Sequence, residues 1–339
     1  MTDFFLRLIL GFVPVLIFLL ALELLDNYRL VRFRAVLEAL LAGCVVAVAC
    51  FFINQGVLTH LRISLPTYAR YLAPLVEEPA KAVYLIYLFR RKRIGFLVDA
   101  AILGFAVGAG FALIENLTYL NSQAGIHPIH WVIRGFGTAI MHGTTVALIG
   151  ILAKNLSERR GKERISFFGP GLGLAIIIHS LFNHLLLRMQ LLTSLVFLVG
   201  LPPLVMFVYN RSEKSLQKWM DAGFRADVEL LDMIRTGTFL KSKMGRYLQS
   251  LKDRVPGELL ADLICYLRIF AELSIRAKGI LLQAEAGFPI SPDPEIQEKF
   301  QELKYLERNI GRLGKRIISP LLHTSTRELW ELHRLKERA

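Results

Sequence analysis

Long apolar segments recur throughout the first 210 residues of the chain and limit the folds that it can adopt. Each contains about 20 residues, the length of helix that crosses the ~30 Å hydrocarbon core of a bilayer. Backbone polar groups find no partners in lipid, so we expect every segment to be helical. The predicted spans are residues 4–25, 35–54, 69–89, 95–120, 131–153, 167–187 and 191–209. The sequence thus predicts an all-α fold, a polytopic membrane bundle of about seven transmembrane helices.

Basic residues alternate between the two sides of the predicted bundle. They are concentrated after the first, third, fifth and seventh spans, at residues 29–34, 90–93, 154–164 and 211–218. Because cytoplasmic loops keep an excess of Lys and Arg, this pattern predicts a multi-pass protein of the cell (inner) membrane. Its N-terminus would lie outside and its C-terminus in the cytoplasm. Membrane topology thus explains much of the net charge of +13, and we expect no nucleic-acid partner.

Residues 211–339 have the composition of a soluble helical domain. Charged residues are frequent, and apolar residues recur at helical spacing between Leu303 and Ile317. Pro256-Gly257 and Pro292-Asp293-Pro294-Glu295 mark the starts of two long helices, and Ser325-x-x-Glu328 is a capping box for a last one. We therefore predict a transmembrane bundle at residues 1–210, followed by a cytoplasmic helical domain without a catalytic motif.

Charged residues inside the third predicted span are the first sign of a functional site. The span contains Glu77-Glu78-Pro79-Ala80-Lys81, and ionisable groups within a membrane are costly and tend to mark function. Lys81 lies one helical turn from both carboxylates and can pair with either. Two carboxylates are more than one lysine neutralises, which suits an acid or base in catalysis. The alternative is an internal ion pair that holds helices together.

The fourth predicted span combines small residues with one acidic residue. Gly104, Gly108 and Gly110 would let another helix pack closely. Glu115 lies nearer the outer boundary of the span, where it is either part of a polar site or a solvated interfacial carboxylate.

The fifth and sixth predicted spans add two histidines and an amide. His142 lies in the fifth, and His179 and Asn183 lie four residues apart on one face of the sixth. Such a pair suits metal binding, or the binding of a water and an oxyanion. Interhelical hydrogen bonds are the structural alternative. Successive helices alternate in direction, so the two histidines and the asparagine lie at the same depth as Glu78 and Glu115, in the outer half of the bilayer. This overlap predicts one water-accessible site.

These residues resemble the motif set of the PrsW-type intramembrane proteases, which belong to the superfamily of the CAAX prenyl endopeptidases. The motifs are Glu77-Glu78-x-x-Lys81, Phe111-x-x-x-Glu115, His142 and His179-x-x-x-Asn183. Relatives in the superfamily usually have Arg at the position of Lys81 and His at the position of Glu115. Both departures point to the PrsW branch.

The resemblance implies hydrolysis of a peptide bond within or beside the membrane. By position, Glu77 and Glu78 would activate a water, with Lys81 orienting them. His179 and Asn183 would bind that water or the tetrahedral oxyanion. The implied substrate is a single-pass membrane protein of the anti-sigma-factor type, met in the lipid bilayer.

The resemblance also bears on a cofactor. Glu115 and His142 would complete the polar cavity, and the two histidines with the carboxylates could hold Zn²⁺. The chain has no His-Glu-x-x-His motif, and the related prenyl endopeptidases use glutamate-activated water. From the sequence we therefore favour a metal-free site, with Zn²⁺ as the alternative.

Three other functions are compatible with the same residues. A membrane peptidase with a different substrate would share all of these motifs. A transporter or proton-coupled channel also uses buried carboxylates, although the chain shows no internal repeat of the kind common in transporters. A non-catalytic membrane scaffold would recruit a cytoplasmic partner through residues 211–339.

Overall fold

The computed structural model describes residues 31–122, 128–160, 163–186, 190–286, 288 and 293–319, with Leu335 and a few isolated positions among residues 9–20. Every secondary-structure element in these residues is helical, which confirms the predicted all-α class. The first predicted span lies almost entirely outside the described residues. The described chain forms two compact units, Met1–Glu213 and Lys214–Ala339.

The membrane unit is a bundle of long helices. They are α1 (Phe33–Leu61), α2 (Ala73–Arg90), α3 (Leu97–Ser122), α4 (Pro128–Arg160), α5 (Gly169–Leu186) and the first part of α6 (Gln190–Arg235). A one-turn helix, Leu65–Thr67, and a π-helical turn, Tyr68–Leu72, lead directly into α2, and a 3₁₀ turn, Ile165–Phe168, leads into α5.

Among the described residues, four helices are long and apolar enough to cross a membrane: Phe33–Leu61, Leu97–Tyr119, Gly137–Arg160 and Ile165–Leu185. They correspond to the second, fourth, fifth and sixth predicted spans. The third predicted span coincides with the π-helical turn and α2. A helical membrane bundle is thereby confirmed, while the total of seven spans stays a prediction.

Glycines let α3 pack tightly in the centre of this unit. A β carbon on Gly108 would lie 2.1 Å from the backbone oxygen of His142 in α4. A β carbon on Gly110 would lie 1.9 Å from the backbone oxygen of Leu40 in α1. Both distances are far below van der Waals contact, so the predicted role of these glycines in close packing is confirmed.

The second unit contains the end of α6, a 3₁₀ turn at Thr238–Lys241, α7 (Lys243–Gln249), α8 (Gly257–Glu285) and α9 (Pro294–Ile318). The predicted starts of α8 and α9 are confirmed, and Asp293 caps α9 by accepting from the N–H of Glu295. The predicted capping box at Ser325 lies outside the described residues. α6 is one helix of 46 residues, so the seventh predicted span and the start of the predicted tail share a single element.

A buried polar cluster joins α6 to α8 within the second unit. Lys278 Nζ donates to Asp227 Oδ2 over 2.8 Å and to Ser274 Oγ over 2.5 Å. The same ammonium lies 4.9 Å from the ring centroid of Trp219. Lys278 is only 1% exposed, and a buried charge needs such partners to offset its lost hydration.

Candidate active site

α2 contributes three charged side chains to the interior of the bundle. Lys81 Nζ donates to Glu78 Oε1 over 2.7 Å, and both side chains are fully buried. Glu77 is the neighbour of Glu78 in sequence, yet consecutive residues on a helix point about 100° apart. The lysine therefore pairs with Glu78, and the Glu77 carboxylate takes different partners.

His142 from α4 connects Lys81 to Glu115 on α3. Lys81 Nζ lies 2.7 Å from His142 Nδ1, and His142 Nε2 lies 2.7 Å from Glu115 Oε2. An ammonium only donates hydrogen bonds, so Nδ1 must accept. Nε2 then carries the proton and donates a hydrogen bond to Glu115. These contacts fix one tautomer of the imidazole.

His179 from α5 approaches Glu78 from the other side. Its Nδ1 lies 2.7 Å from Glu78 Oε1, and its ring meets that of His142 edge-on with centroids 4.8 Å apart. A carboxylate only accepts hydrogen bonds, so Nδ1 donates and the lone pair of Nε2 remains available. That nitrogen lies 4.0 Å from Glu77 Oε2.

The aromatic ring of Phe111 on α3 closes one side of this cluster. Its centroid lies 4.2 Å from Lys81 Nζ and 5.0 Å from the centroid of the His142 ring. An ammonium over a ring face gains electrostatic energy where water is excluded. The cluster reaches the surface at Glu115, whose side chain is 28% exposed.

One buried oxygen of the cluster is left without a partner among the described residues. Glu78 Oε2 is inaccessible and accepts no hydrogen bond there, although the other oxygen of the same carboxylate accepts from Lys81 and His179. Buried polar atoms are normally paired. An orphaned oxygen at this position fits a site that takes up a water or another polar group.

Three of these residues form a set suited to a metal ion. Glu77, His142 and His179 each offer one ligand atom, and these atoms lie within 4.8 Å of one another. Two imidazoles and a carboxylate are a known ligand set of catalytic zinc sites, which leave one position open for water. The residues present therefore fit Zn²⁺. To bind the ion, His142 would give up its hydrogen bond to Lys81 or to Glu115.

Asn183 is the one predicted site residue that the structure does not bring into this cluster. Its Nδ2 donates to the backbone oxygen of Ala69 over 2.7 Å. One turn earlier on α5, Ser180 Oγ donates to the backbone oxygen of Arg70, also over 2.7 Å. Both acceptors belong to the π-helical turn that precedes α2.

Two residues that the sequence did not single out lie against Glu77. Asn54 Nδ2 donates to Glu77 Oε1 over 3.0 Å, and Tyr68 Oη donates to Asn54 Oδ1 over 2.5 Å. Asn54 ends the second predicted span and Tyr68 precedes the third. Polar residues are common at span ends, so no sequence signal distinguished these two.

Comparison with known families identifies the chain. The family model described as "PrsW family intramembrane metalloprotease" matches residues 31–209, more than half of the chain and every residue of the cluster. The chain belongs to the PrsW family. No curated protein and no solved structure gives a significant match. The resemblance seen in the motifs is thus confirmed, and this PrsW-family chain is an intramembrane protease, a membrane-embedded hydrolase that works on membrane substrates.

Proposed function

We propose that this protease hydrolyses a peptide bond in or beside the membrane segment of a single-pass, membrane-anchored protein of the anti-sigma-factor type. The observation that carries the proposal is the buried cluster in which carboxylates from α2 and α3 meet imidazoles from α4 and α5. The class of substrate comes from the family resemblance. We also propose that the N-terminus lies outside, that the C-terminus lies in the cytoplasm and that residues 211–339 form a separate cytoplasmic domain.

Glu77 is the best placed residue to act as the general base. Its Oε2 lies 4.0 Å from Nε2 of His179, and a water between them would contact both atoms. Glu77 would take a proton from this water as the water oxygen attacks the carbonyl carbon of the substrate. The same carboxyl would later return the proton to the amine that leaves when the C–N bond breaks.

Glu78 and Lys81 act as supports in this scheme. Glu78 Oε1 accepts from Lys81 and from His179, so this carboxylate orients the imidazole, while its second oxygen, Oε2, is left to accept from a bound water. The ammonium of Lys81 is buried close to the reacting groups. A fixed positive charge in a water-excluded site stabilises the negative charge that develops on the carbonyl oxygen.

The ligand set and the metalloprotease family make Zn²⁺ the alternative to this metal-free scheme. Glu77, His142 and His179 would hold the ion, and Glu77 would then be a ligand rather than the base that faces a water through Oε2. When bound, such an ion makes a bound water a stronger nucleophile and polarises the carbonyl group of the substrate. Glu115 would then orient the His142 ring, the role that carboxylates commonly play beside metal-binding histidines.

Cleavage by the purified protein tests the proposal. The protein is reconstituted in liposomes with a single-span protein of the anti-sigma-factor type that carries a different tag at each end. We expect Glu77→Gln, Glu78→Gln and His179→Ala to lower the rate by about 10²–10⁴-fold, whereas Glu38→Gln, at a surface ion pair with Arg93, leaves it unchanged. Equal cleavage by the wild type and all three site variants would overturn the assignment.

A further inference from the structure

A chain of two hydrogen bonds holds the Glu77 carboxylate from behind. Tyr68, which is 2% exposed, donates to the amide oxygen of Asn54, and the amide nitrogen of Asn54 donates to Glu77 Oε1. Because the carboxylate only accepts, the amide can be oriented in just one way. The hydrogen bond from Tyr68 polarises the amide and strengthens its donation to Glu77.

This arrangement makes the two oxygens of Glu77 unequal. Oε1 is occupied by an amide N–H, which does not exchange a proton with the carboxylate during catalysis. Oε2 is the oxygen that faces Nε2 of His179, at 4.0 Å. The contact with Asn54 thus selects the oxygen that meets the water, and it removes the freedom of the carboxylate to rotate.

The position of Tyr68 depends on the π-helical turn Tyr68–Leu72. In this turn the N–H of Ala73 donates to the oxygen of Tyr68, five residues earlier. Turns of this kind are rare inside helices and occur frequently at functional sites.

Pro74 explains why this turn needs support from another helix. Residue 74 would supply the N–H for the oxygen of Arg70 in an α-helix, or for that of Ala69 in a π-helix, but proline has no N–H. Ser180 and Asn183 on α5 take its place, donating to Arg70 and Ala69 respectively. Two side chains from α5 therefore satisfy the backbone that carries Tyr68.

We propose that Tyr68 and Asn54 are positioning residues that fix the reacting oxygen of Glu77, and that Ser180 and Asn183 act through the π-helical turn to hold Tyr68 in place. The catalytic consequence rests on the proposed function. The positioning itself does not, since the state of the Glu77 carboxylate is measurable without a substrate.

Infrared spectroscopy of the full-length protein tests the positioning. Carboxylate stretching bands respond to hydrogen bonding, and the band that Glu77→Gln removes belongs to Glu77. We expect Tyr68→Phe and Asn54→Leu to shift this band. Tyr71→Phe is the matched control, because it removes a hydroxyl from an exposed tyrosine of the same turn, 57% exposed. A Glu77 band that stays in place in both Tyr68→Phe and Asn54→Leu would overturn the proposal.

Kinetics test the catalytic consequence. Tyr68→Phe should lower kcat by about 10-fold with KM unchanged, because a hydrogen bond that supports a charged group is lost without a substrate contact. Tyr71→Phe should match the wild type. If Glu77→Gln, Glu78→Gln and His179→Ala all cleave as fast as the wild type, the proposed function fails. If Glu77→Gln is inactive but Tyr68→Phe equals Tyr71→Phe, the positioning proposal alone fails.

A double mutant decides how Asn183 acts. If Asn183 acts through the turn, Asn183→Ala combined with Tyr68→Phe should cleave no more slowly than the slower single variant, because both changes release the same carboxylate. If Asn183 instead touches the substrate or its oxyanion, the two fold-changes should multiply. Multiplication would contradict the part of the proposal that concerns Asn183.

Discussion

Lys81 shows how one buried side chain can organise several ionisable groups. Its ammonium contacts Glu78, His142 and the ring of Phe111. The sequence predicted an ion pair between Lys81 and one of two glutamates, and the structure selects Glu78. It could not predict that the lysine also determines the His142 tautomer, since that contact joins residues 61 positions apart.

Metal content is the first prediction at the scale of residues. Because His179 belongs to the proposed ligand set, we expect His179→Ala to weaken zinc binding by at least about 10-fold. His184→Ala, which alters another histidine of α5, should bind zinc like the wild type. Zinc per chain is measured by elemental analysis after dialysis against a zinc buffer. Equal zinc in wild type and His179→Ala would contradict the ligand set.

At the scale of elements, local signals predicted most helices well. Pro256-Gly257 and Pro294 mark the observed starts of α8 and α9. The π-helical turn before α2 was not predicted. The sequence analysis drew nothing from Pro74, and the form of the helix there depends on a donor from Ser180, 110 residues away from its acceptor. Such long-range compensation has no local signature.

The close packing of α3 against α4 predicts the effect of a substitution at Gly108. A β carbon at Gly108 would meet the backbone of His142 itself, so Gly108→Ala should separate the helices and displace the imidazole. We expect a loss of about 1–3 kcal/mol in the free energy of unfolding together with slower cleavage. Thermal unfolding in detergent and the cleavage assay measure these effects.

Gly173→Ala is the matched control for this change. Among the described residues, no atom outside the neighbouring backbone of α5 itself lies within 4 Å of a β carbon at Gly173, which is inside α5. Alanine should there stabilise the helix by about 0.5–1 kcal/mol. Similar behaviour of the two variants would show that close packing at Gly108 does not position His142.

At the scale of the whole molecule, the chain combines a membrane unit with a second compact unit that has its own cores. In that second unit, one cluster is built around Leu263 and Leu267 and another around Leu273 and Leu306. From composition, the sequence predicted a transmembrane bundle at residues 1–210 and a cytoplasmic helical domain at residues 211–339, and this assignment stays a prediction. It gave no indication of the buried cluster at Lys278, because lysine in an amphipathic helix is usually exposed.

The cluster at Lys278 gives a prediction for the second unit. Asp227→Ala deprives a buried ammonium of its carboxylate and should destabilise this unit by about 3 kcal/mol. Hydrogen exchange of the full-length protein should show faster exchange in α8. Asp221→Ala, which removes an exposed carboxylate from the same helix, should change little.

A second change sharpens this test. Adding Lys278→Met to Asp227→Ala removes the stranded charge and should restore much of the lost protection. A double variant that exchanges as fast as Asp227→Ala would mean that packing, rather than charge, accounts for the loss.

Pro74 has a consequence for how such a protein can change over time. A residue with an N–H at position 74 would compete with Ser180 and Asn183 for the same backbone oxygens, and loss of either side chain would remove the hydrogen bond that Arg70 or Ala69 accepts from α5. Substitutions at positions 74, 180 and 183 should therefore occur together among descendants of a common ancestor. Asn183 would then be kept because of Pro74, which lies more than a hundred residues earlier in the chain.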